Sequence, residues 1–212
     1  MNRASRAVLV FSKLPEAGRV KTRLIPALGA VGAAKLYARL LERQLGWLTA
    51  EAGYPVLLWL TPSMDHPLIQ QWAKSPTLSL FLQQGGDLGQ RMMYAARSAL
   101  QHYQQVVLLG VDCPALTPRH LQQAFAWLES CDAVLGPARD GGYVLLGLKS
   151  APECLFKDHR WGQADVAETT RLAMRQLRWD WRELPLLWDL DRAEDLEQLH
   201  TLGITINVNP AP

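Results

Sequence analysis

The segment VVLLGVD, residues 106–112, constrains the fold more than any other stretch of the chain. Its apolar residues follow one another with little alternation, and such a run is buried when a strand is covered on both faces. An aspartate ends it abruptly. Cys113 and Pro114 follow, so the proline holds Cys113 extended and stops the sheet ladder there. Comparable runs recur at 7–11 (AVLVF), at 55–60 (PVLLWL, halted by Thr61-Pro62) and at 78–82 (LSLFL), while DAVLGPA and YVLLGL flank residues 139–142. The intervening segments carry helical signals. Leu36, Leu40, Leu41, Leu45 and Leu48 recur at helical spacing across 32–48. Asp87 with Gln90 reads as a capping box opening a helix to about residue 103, and Thr117-Pro118 as the cap and first residue of the next. Further helices are expected over 165–177 and from Ala193, with a short closing strand at ITINV. Strands alternating with helices predict an α/β architecture with a mostly parallel sheet covered on both faces.

Composition narrows the setting. At 212 residues and 49% hydrophobic content, the chain suits a single domain over 1–212, and no linker or repeat interrupts it. A net charge of +2 gives no general argument for nucleic acid or an anionic membrane as partner. Cys113, Cys131 and Cys154 lack CxxC spacing, so neither a disulfide framework nor a zinc knuckle is indicated; a reducing, cytoplasmic setting is expected. No segment is expected to approach the length of a membrane-spanning helix.

In sheets of this kind, ligands sit beyond the carboxyl ends of the strands. FSKLPEAGRVKTRLIP, residues 11–26, follows the first strand and sets Lys13, Arg19, Lys21 and Arg23 against Glu16 alone. The dinucleotide fingerprint and the Walker loop both fail here, because Gly18 is the only glycine. What remains is a set of cations over a strand end. They either bind a diphosphate by charge and bidentate hydrogen bonds or form a solvated basic loop. Asp112 either binds a hard divalent cation together with phosphate oxygens or caps a turn. Asp189 and Asp191 share a face if extended, but Asp191 and Glu194 also form a capping box for the last helix. Asp140-Gly141-Gly142 is a turn signal, or a place where backbone approaches a ligand with Asp140 and Tyr143 beside it. Gly86 and Gly89, with Arg91 one turn into a helix, pose the same choice. The histidines show no HxxxH or HExxH pair and no G-x-S-x-G elbow exists, so zinc and serine hydrolase mechanisms lose support.

Taken in order, FSKLPEAGRVKTRL, QGGDLGQRM, LLGVDCPALTP, GPARDGGYVLLGL, WGQADVAETT and WDLDRAEDL resemble the successive blocks of the DUF2064 family, also called rSAM/selenodomain-associated transferase 1. The resemblance runs roughly from residue 8 to 196. It implies a three-layer α/β/α domain with a twisted, mostly parallel central sheet, the glycosyltransferase-A fold of the nucleotide-diphospho-sugar transferase superfamily. It also implies a cytoplasmic, metal-dependent transferase using Mg²⁺ or Mn²⁺. The first expectation is glycosyl transfer from a nucleoside-diphosphate sugar to a small-molecule acceptor. The alternatives are a nucleotidyltransferase releasing pyrophosphate from an NTP, and a non-catalytic nucleotide-binding protein on the same fold. By resemblance, Lys13, Arg19, Lys21 and Arg23 form the phosphate loop, with Lys21, Arg23 and Asp112 catalytic. Gly86, Asp87 and Arg91 face the nucleotide. Asp140, Gly141, Gly142 and Tyr143 line the acceptor side. Asp112 and Asp191 hold the metal, with Asp189 a further acid of the same closing motif. The block at Asp112 reads Asp-Cys-Pro rather than the Asp-x-Asp of many sugar transferases.

Overall fold

The computed structural model describes residues 4–50, 53–157, 159–201 and 203. The expected closing strand ITINV lies outside the described residues. Seven strands form one sheet: β1 (Ala4–Lys13), β2 (Val56–Thr61), β3 (Leu78–Leu82), β4 (Tyr103–Leu109), β5 (Ala133–Pro137), β6 (Tyr143–Leu148) and β7 (Trp181–Glu183). Their order is β3-β2-β1-β4-β6-β5-β7. β6 pairs antiparallel with both β4 and β5, and every other pairing is parallel. The helices are α1 (Ile25–Ala50), α2 (Pro67–Trp72), α3 (Leu88–Leu100), α4 (Pro118–Leu128), α5 (Val166–Gln176) and α6 (Leu196–Thr201).

The uninterrupted apolar runs are buried on both faces, as their composition requires. Along β1, Val8 and Val10 pack with α1 and α4, whose Leu36, Leu41, Leu121 and Phe125 belong to the same cluster. Ala7 and Leu9 pack instead with Met92, Ala95 and Ala99 of α3 and Met174 of α5. Side chains alternate across a strand, so one strand feeds two cores and the molecule is three layers deep. Each Val or Leu fully buried in this way contributes about 1.5–3 kcal/mol relative to exposure.

Several elements differ from the sequence reading. Helix α3 stops at Leu100, and Tyr103 begins β4 rather than ending the helix. The short strand β7 has no hydrophobic run to announce it. It is held at the sheet edge by its pairing with β5. LSLFL is a strand, but at the edge of the sheet, with Phe81 and Leu82 exposed. Helix α1 starts well before residue 32, across a break at Gly29 (φ 68°), a backbone that glycine adopts readily. The stretch Thr22–Ala50 is long and apolar enough to cross a membrane, which corrects the expectation about segment length. Its apolar face is nonetheless taken up by the sheet: Ala33, Leu36, Leu40, Leu41, Leu45 and Leu48 are buried in the core. Length and apolarity are properties of the segment, while partner choice belongs to the fold.

Six strands point their carboxyl ends at one edge of the sheet. β6 starts from that edge because it runs the other way. This single reversal brings the turn before Tyr143 to the same rim as Lys13 and Asp112.

Candidate functional site

The rim is braced from below by α1. Tyr37 Oη lies 3.0 Å from Ser12 Oγ and accepts the Lys13 backbone N–H at 3.0 Å. Burial, reinforced by the charge of Asp112, pushes the Tyr37 phenol far above its ordinary range, so it stays protonated. The buried Gln44 donates from Nε2 to the Gly110 carbonyl at 2.9 Å, and Arg43 donates to the Pro114 carbonyl at 2.8 Å. The chain leaving β4 is thereby fixed on both sides of Asp112.

Lys21 is the most constrained residue of the basic loop. Its backbone is left-handed (φ 48°, ψ 42°), a conformation costing a non-glycine residue about 1–2 kcal/mol. Its side chain is 3% exposed, and its Nζ lies 2.5 Å from Asp112 Oδ1. Nζ also donates to the Leu190 carbonyl. The Leu190 N–H in turn donates to the Asp112 carbonyl at 2.8 Å. One ammonium therefore ties together the first loop, the end of β4 and the closing WDLD segment. Arg23 pairs with Asp191 on the same side, both partners partly in water.

A cleft of about 600 Å³ opens above these residues. Lys13, Arg19, Lys21, Arg23 and Arg91 line it, together with Asp112 and Asp191. Five cations face two acids there, in a chain that is nearly neutral overall. A second cleft of about 290 Å³ adjoins it and is lined by Asp140, Gly142, Tyr143, Trp161 and Asp189. Phe11, Leu88, Gly110 and Asp112 line both, so Asp112 stands on the boundary between them.

The expected residues are thus largely brought together, with exceptions. Asp87 caps α3: its Oδ1 accepts the Gln90 N–H at 2.8 Å, while Gln90 Oε1 accepts the Gly86 N–H at 2.9 Å. The reciprocal bond of the expected capping box thus reaches Gly86, one residue earlier. Asp87 lines a separate 250 Å³ cavity with Phe156 and His159, and Gly86 does not line the basic cleft. Neither Gly86 nor Asp87, expected beside the nucleotide, is among the residues that line the basic cleft. Arg91 does face the basic cleft, steadied by its Nε bond to the Gly85 carbonyl at 3.0 Å.

Gly141 is required by a chain neighbour. At φ +87°, a Cβ there would lie 2.0 Å from the Ala164 carbonyl oxygen, so the close approach it permits is to the segment before α5. Asp140 Oδ1 accepts the Gly142 N–H at 2.8 Å, closing the turn that the sequence predicts. The expected Asp191–Glu194 capping box does not form. Asp195 instead accepts the N–H groups of Asp191 and Arg192, at 3.0 and 2.7 Å, which leaves the Asp191 carboxylate to Arg23.

Asp189 carries more than its sequence signal suggested. Burial, and then the charges of Asp140, Asp112 and Asp191, push its carboxyl up to about 7, with Lys21 opposing. Asp112 lines both clefts, with Asp140 and Asp189 on the smaller and Asp191 on the larger. Among the described residues no group of three or more His, Cys, Asp or Glu is close enough to cage a metal unaided. The acids fit an ion that takes most of its ligands from phosphate oxygens and water, as Mg²⁺ does. Trp161 forms part of the lining of the second cleft. It stacks on His159 with ring centres 4.7 Å apart and meets Tyr143 edge-on at 6.4 Å. Gly89 lets it close onto α3, since a Cβ there would lie 2.8 Å from the indole.

Comparison with known proteins follows the same lines. The family model described as "Uncharacterized protein conserved in bacteria (DUF2064)" matches residues 45–163. A crystal structure from Desulfovibrio desulfuricans G20, assigned as a nucleotide-diphospho-sugar transferase, is 35% identical. It superposes with a TM-score of 0.86 over 96% of this chain and 90% of that one. The chain belongs to the DUF2064 family. The fold of this DUF2064 protein is also that of a cytidylyltransferase from Leptospira borgpetersenii serovar Hardjo-bovis (TM-score 0.60, 16% identity, 99% of each chain). It is shared as well by the 4-diphosphocytidyl-2C-methyl-D-erythritol synthase of Anaerococcus prevotii DSM 20548 (TM-score 0.62, 8% identity, 94% of this chain and 96% of that one). No curated protein matches the chain. The fold is thus one that named transferases share.

Proposed function

We propose that the protein is a metal-dependent transferase acting on a nucleotide-activated substrate, and that it transfers a glycosyl group from a nucleoside-diphosphate sugar to a small acceptor. The observation that carries this reading is the convergence of Lys13, Arg19, Lys21, Arg23 and Arg91 on one cleft whose boundary is Asp112. A diphosphate suits that field. The arginines offer paired donors to its oxygens and the lysines a compact positive charge. Lys21 and Arg23 hold the phosphate oxygens as the bond to the leaving group lengthens, so negative charge gathers where cations are already fixed. Asp112 and Asp191 would hold Mg²⁺ or Mn²⁺, with Asp189 beside them; the ion, when bound, offsets charge on the diphosphate. Both acids now pair with loop cations, Asp112 with Lys21 and Asp191 with Arg23. Metal and nucleotide are therefore expected to bind together, each supplying the partner that the other displaces.

The count of five cations also suits a triphosphate, and so favours a second reading: nucleotidyl transfer with release of pyrophosphate. A product assay separates the two. Calorimetric titration with UDP, GDP, CDP and NTPs is expected to show binding that depends on Mn²⁺ and is lost in Asp112→Ala. Incubation with nucleotide sugars and NTPs then scores nucleoside diphosphate against pyrophosphate. No response to any nucleotide, with or without metal, would sink the transferase reading and the nucleotide-binding one with it.

A further inference from the structure

The two adjoining clefts differ in charge. Lys13, Arg19, Lys21, Arg23 and Arg91 line the larger, while among the described residues no Lys, Arg or His lines the smaller. The smaller one is lined by Asp112, Asp140 and Asp189 and by the aromatic residues Phe11, Tyr143 and Trp161. Its remaining lining is mainly apolar. Arg139, next to the acidic turn, lines a neighbouring cleft instead. A phosphate or carboxylate entering here would lose its hydration, meet the Asp140 carboxylate and find no lining Lys, Arg or His to pair with, a metal at Asp112 being taken up by the donor diphosphate. An alcohol loses far less. An ammonium gains twice, from the carboxylates and from the ring faces.

We infer that the smaller cleft takes an acceptor with an apolar body, a hydroxyl or amine as its reacting group, and no anionic group. The inference rests on the reading of the larger cleft as the donor site, which it shares a wall with at Asp112. It also bears on the reaction class. A nucleotidyl transfer that builds a new diphosphate link needs a phosphate ester as acceptor, and this cleft repels one. Glycosyl transfer to a hydroxyl needs no such charge. In that step the bond from the anomeric carbon to the diphosphate oxygen breaks, and the nucleoside diphosphate leaves with the electron pair. The acceptor oxygen or nitrogen forms the new bond to that carbon, and its proton passes to a cleft carboxylate or to water. The aromatic walls match an apolar body of roughly one ring with a short side chain, within a volume near 290 Å³.

The test uses the full chain with Mn²⁺ and whichever nucleoside diphosphate binds in the calorimetric panel. Four probes of similar body are titrated in: 2-phenylethylamine, 2-phenylethanol, 3-phenylpropionate and phenyl phosphate. The amine and the alcohol are expected to bind, and the two anions to bind at least about tenfold more weakly. Trp161→Ala should weaken the amine and the alcohol severalfold while leaving the affinity for the nucleotide unchanged. Asp140→Asn should narrow the gap between the amine and the carboxylate. Binding of either anion as tight as that of the alcohol overturns the inference. So does failure of all four probes on protein that still binds nucleotide. If the amine and alcohol bind but no nucleotide does, the donor-site reading fails and the charge selectivity of the smaller cleft stands. If neither nucleotides nor probes bind, both fail.

Discussion

Replacing Lys21 with Met tests whether the buried ammonium is a strut, a phosphate ligand or both. The substitution keeps an unbranched side chain of similar length in a pocket that leaves Lys21 only 3% exposed. It removes the ion pair with Asp112 and the charged hydrogen bond to the Leu190 carbonyl. A hydrogen bond to a charged group contributes about 1.5–3 kcal/mol. Against that stands the desolvation of a buried ammonium, which Met does not incur. The Asp112 carboxylate is 56% exposed, so water takes over its solvation and no charge is stranded. The two effects leave a net loss of about 1–2 kcal/mol. For a chain of this length that corresponds to a fall in Tm of roughly 2–8 °C. Affinity for a nucleoside diphosphate with Mn²⁺ should fall much further, about 10- to 100-fold, because the lost phosphate contact is charge-assisted and has no substitute. Differential scanning calorimetry reads the first quantity and isothermal titration the second. Nucleotide affinity unchanged beside a lowered Tm would refute the phosphate role and leave Lys21 as a strut between the first loop and the WDLD segment.

Two further outcomes follow from the site's geometry. In metal-free protein the Asp189 carboxyl is raised to about 7, above its ordinary value near 4, so the fold favours the protonated acid. That contribution is complete below about pH 4 and is lost as the pH rises towards 7. Asp189→Asn, which stays neutral, should therefore raise stability at pH 8 by on the order of 1–2 kcal/mol, discounted for the part-exposed group, with a smaller gain at pH 5; chelator-treated protein melted across this range checks it, and an equal effect at both values would count against it. Gly141→Ala places a methyl group within 2.0 Å of the Ala164 carbonyl at a backbone φ of +87°. Stability should fall by at least about 1–3 kcal/mol, and urea midpoints would expose a tolerated substitution at once.

Much of this was legible in the sequence, for identifiable reasons. AVLVF, PVLLWL and VVLLGVD declare buried strands by composition alone, because no other element hides consecutive apolar residues in so short a length. The Asp140-Gly141-Gly142 turn and the Thr117-Pro118 helix start are decided within a few residues, and both appear as read. Position at and after the end of the first strand was enough to put Lys13, Lys21 and Arg23 on the carboxyl-end rim of the sheet. Other features depend on contacts that no local pattern carries. The strand β7 exists because β5 offers it an edge, and its residues carry no run of their own. The closing segment reads as opening a helix on an Asp191–Glu194 box, and Asp195 takes the place of Glu194 because it comes within reach of the Asp191 and Arg192 N–H groups.

The sequence by itself determined the layered α/β plan, the basic loop after β1 and the acid just past the end of β4, because each is written in consecutive residues and set by local propensity and burial. Only the tertiary structure decided that Lys21 pairs with Asp112, that Asp189 gathers the field of three other acids, and that the rim divides into a cationic cleft and a cation-free one. Those facts depend on residues far apart in the chain, joined at the edge of the sheet where its parallel strands end and the β5–β6 turn lies. Electrostatic energies follow distance in space, and the fold alone sets that distance.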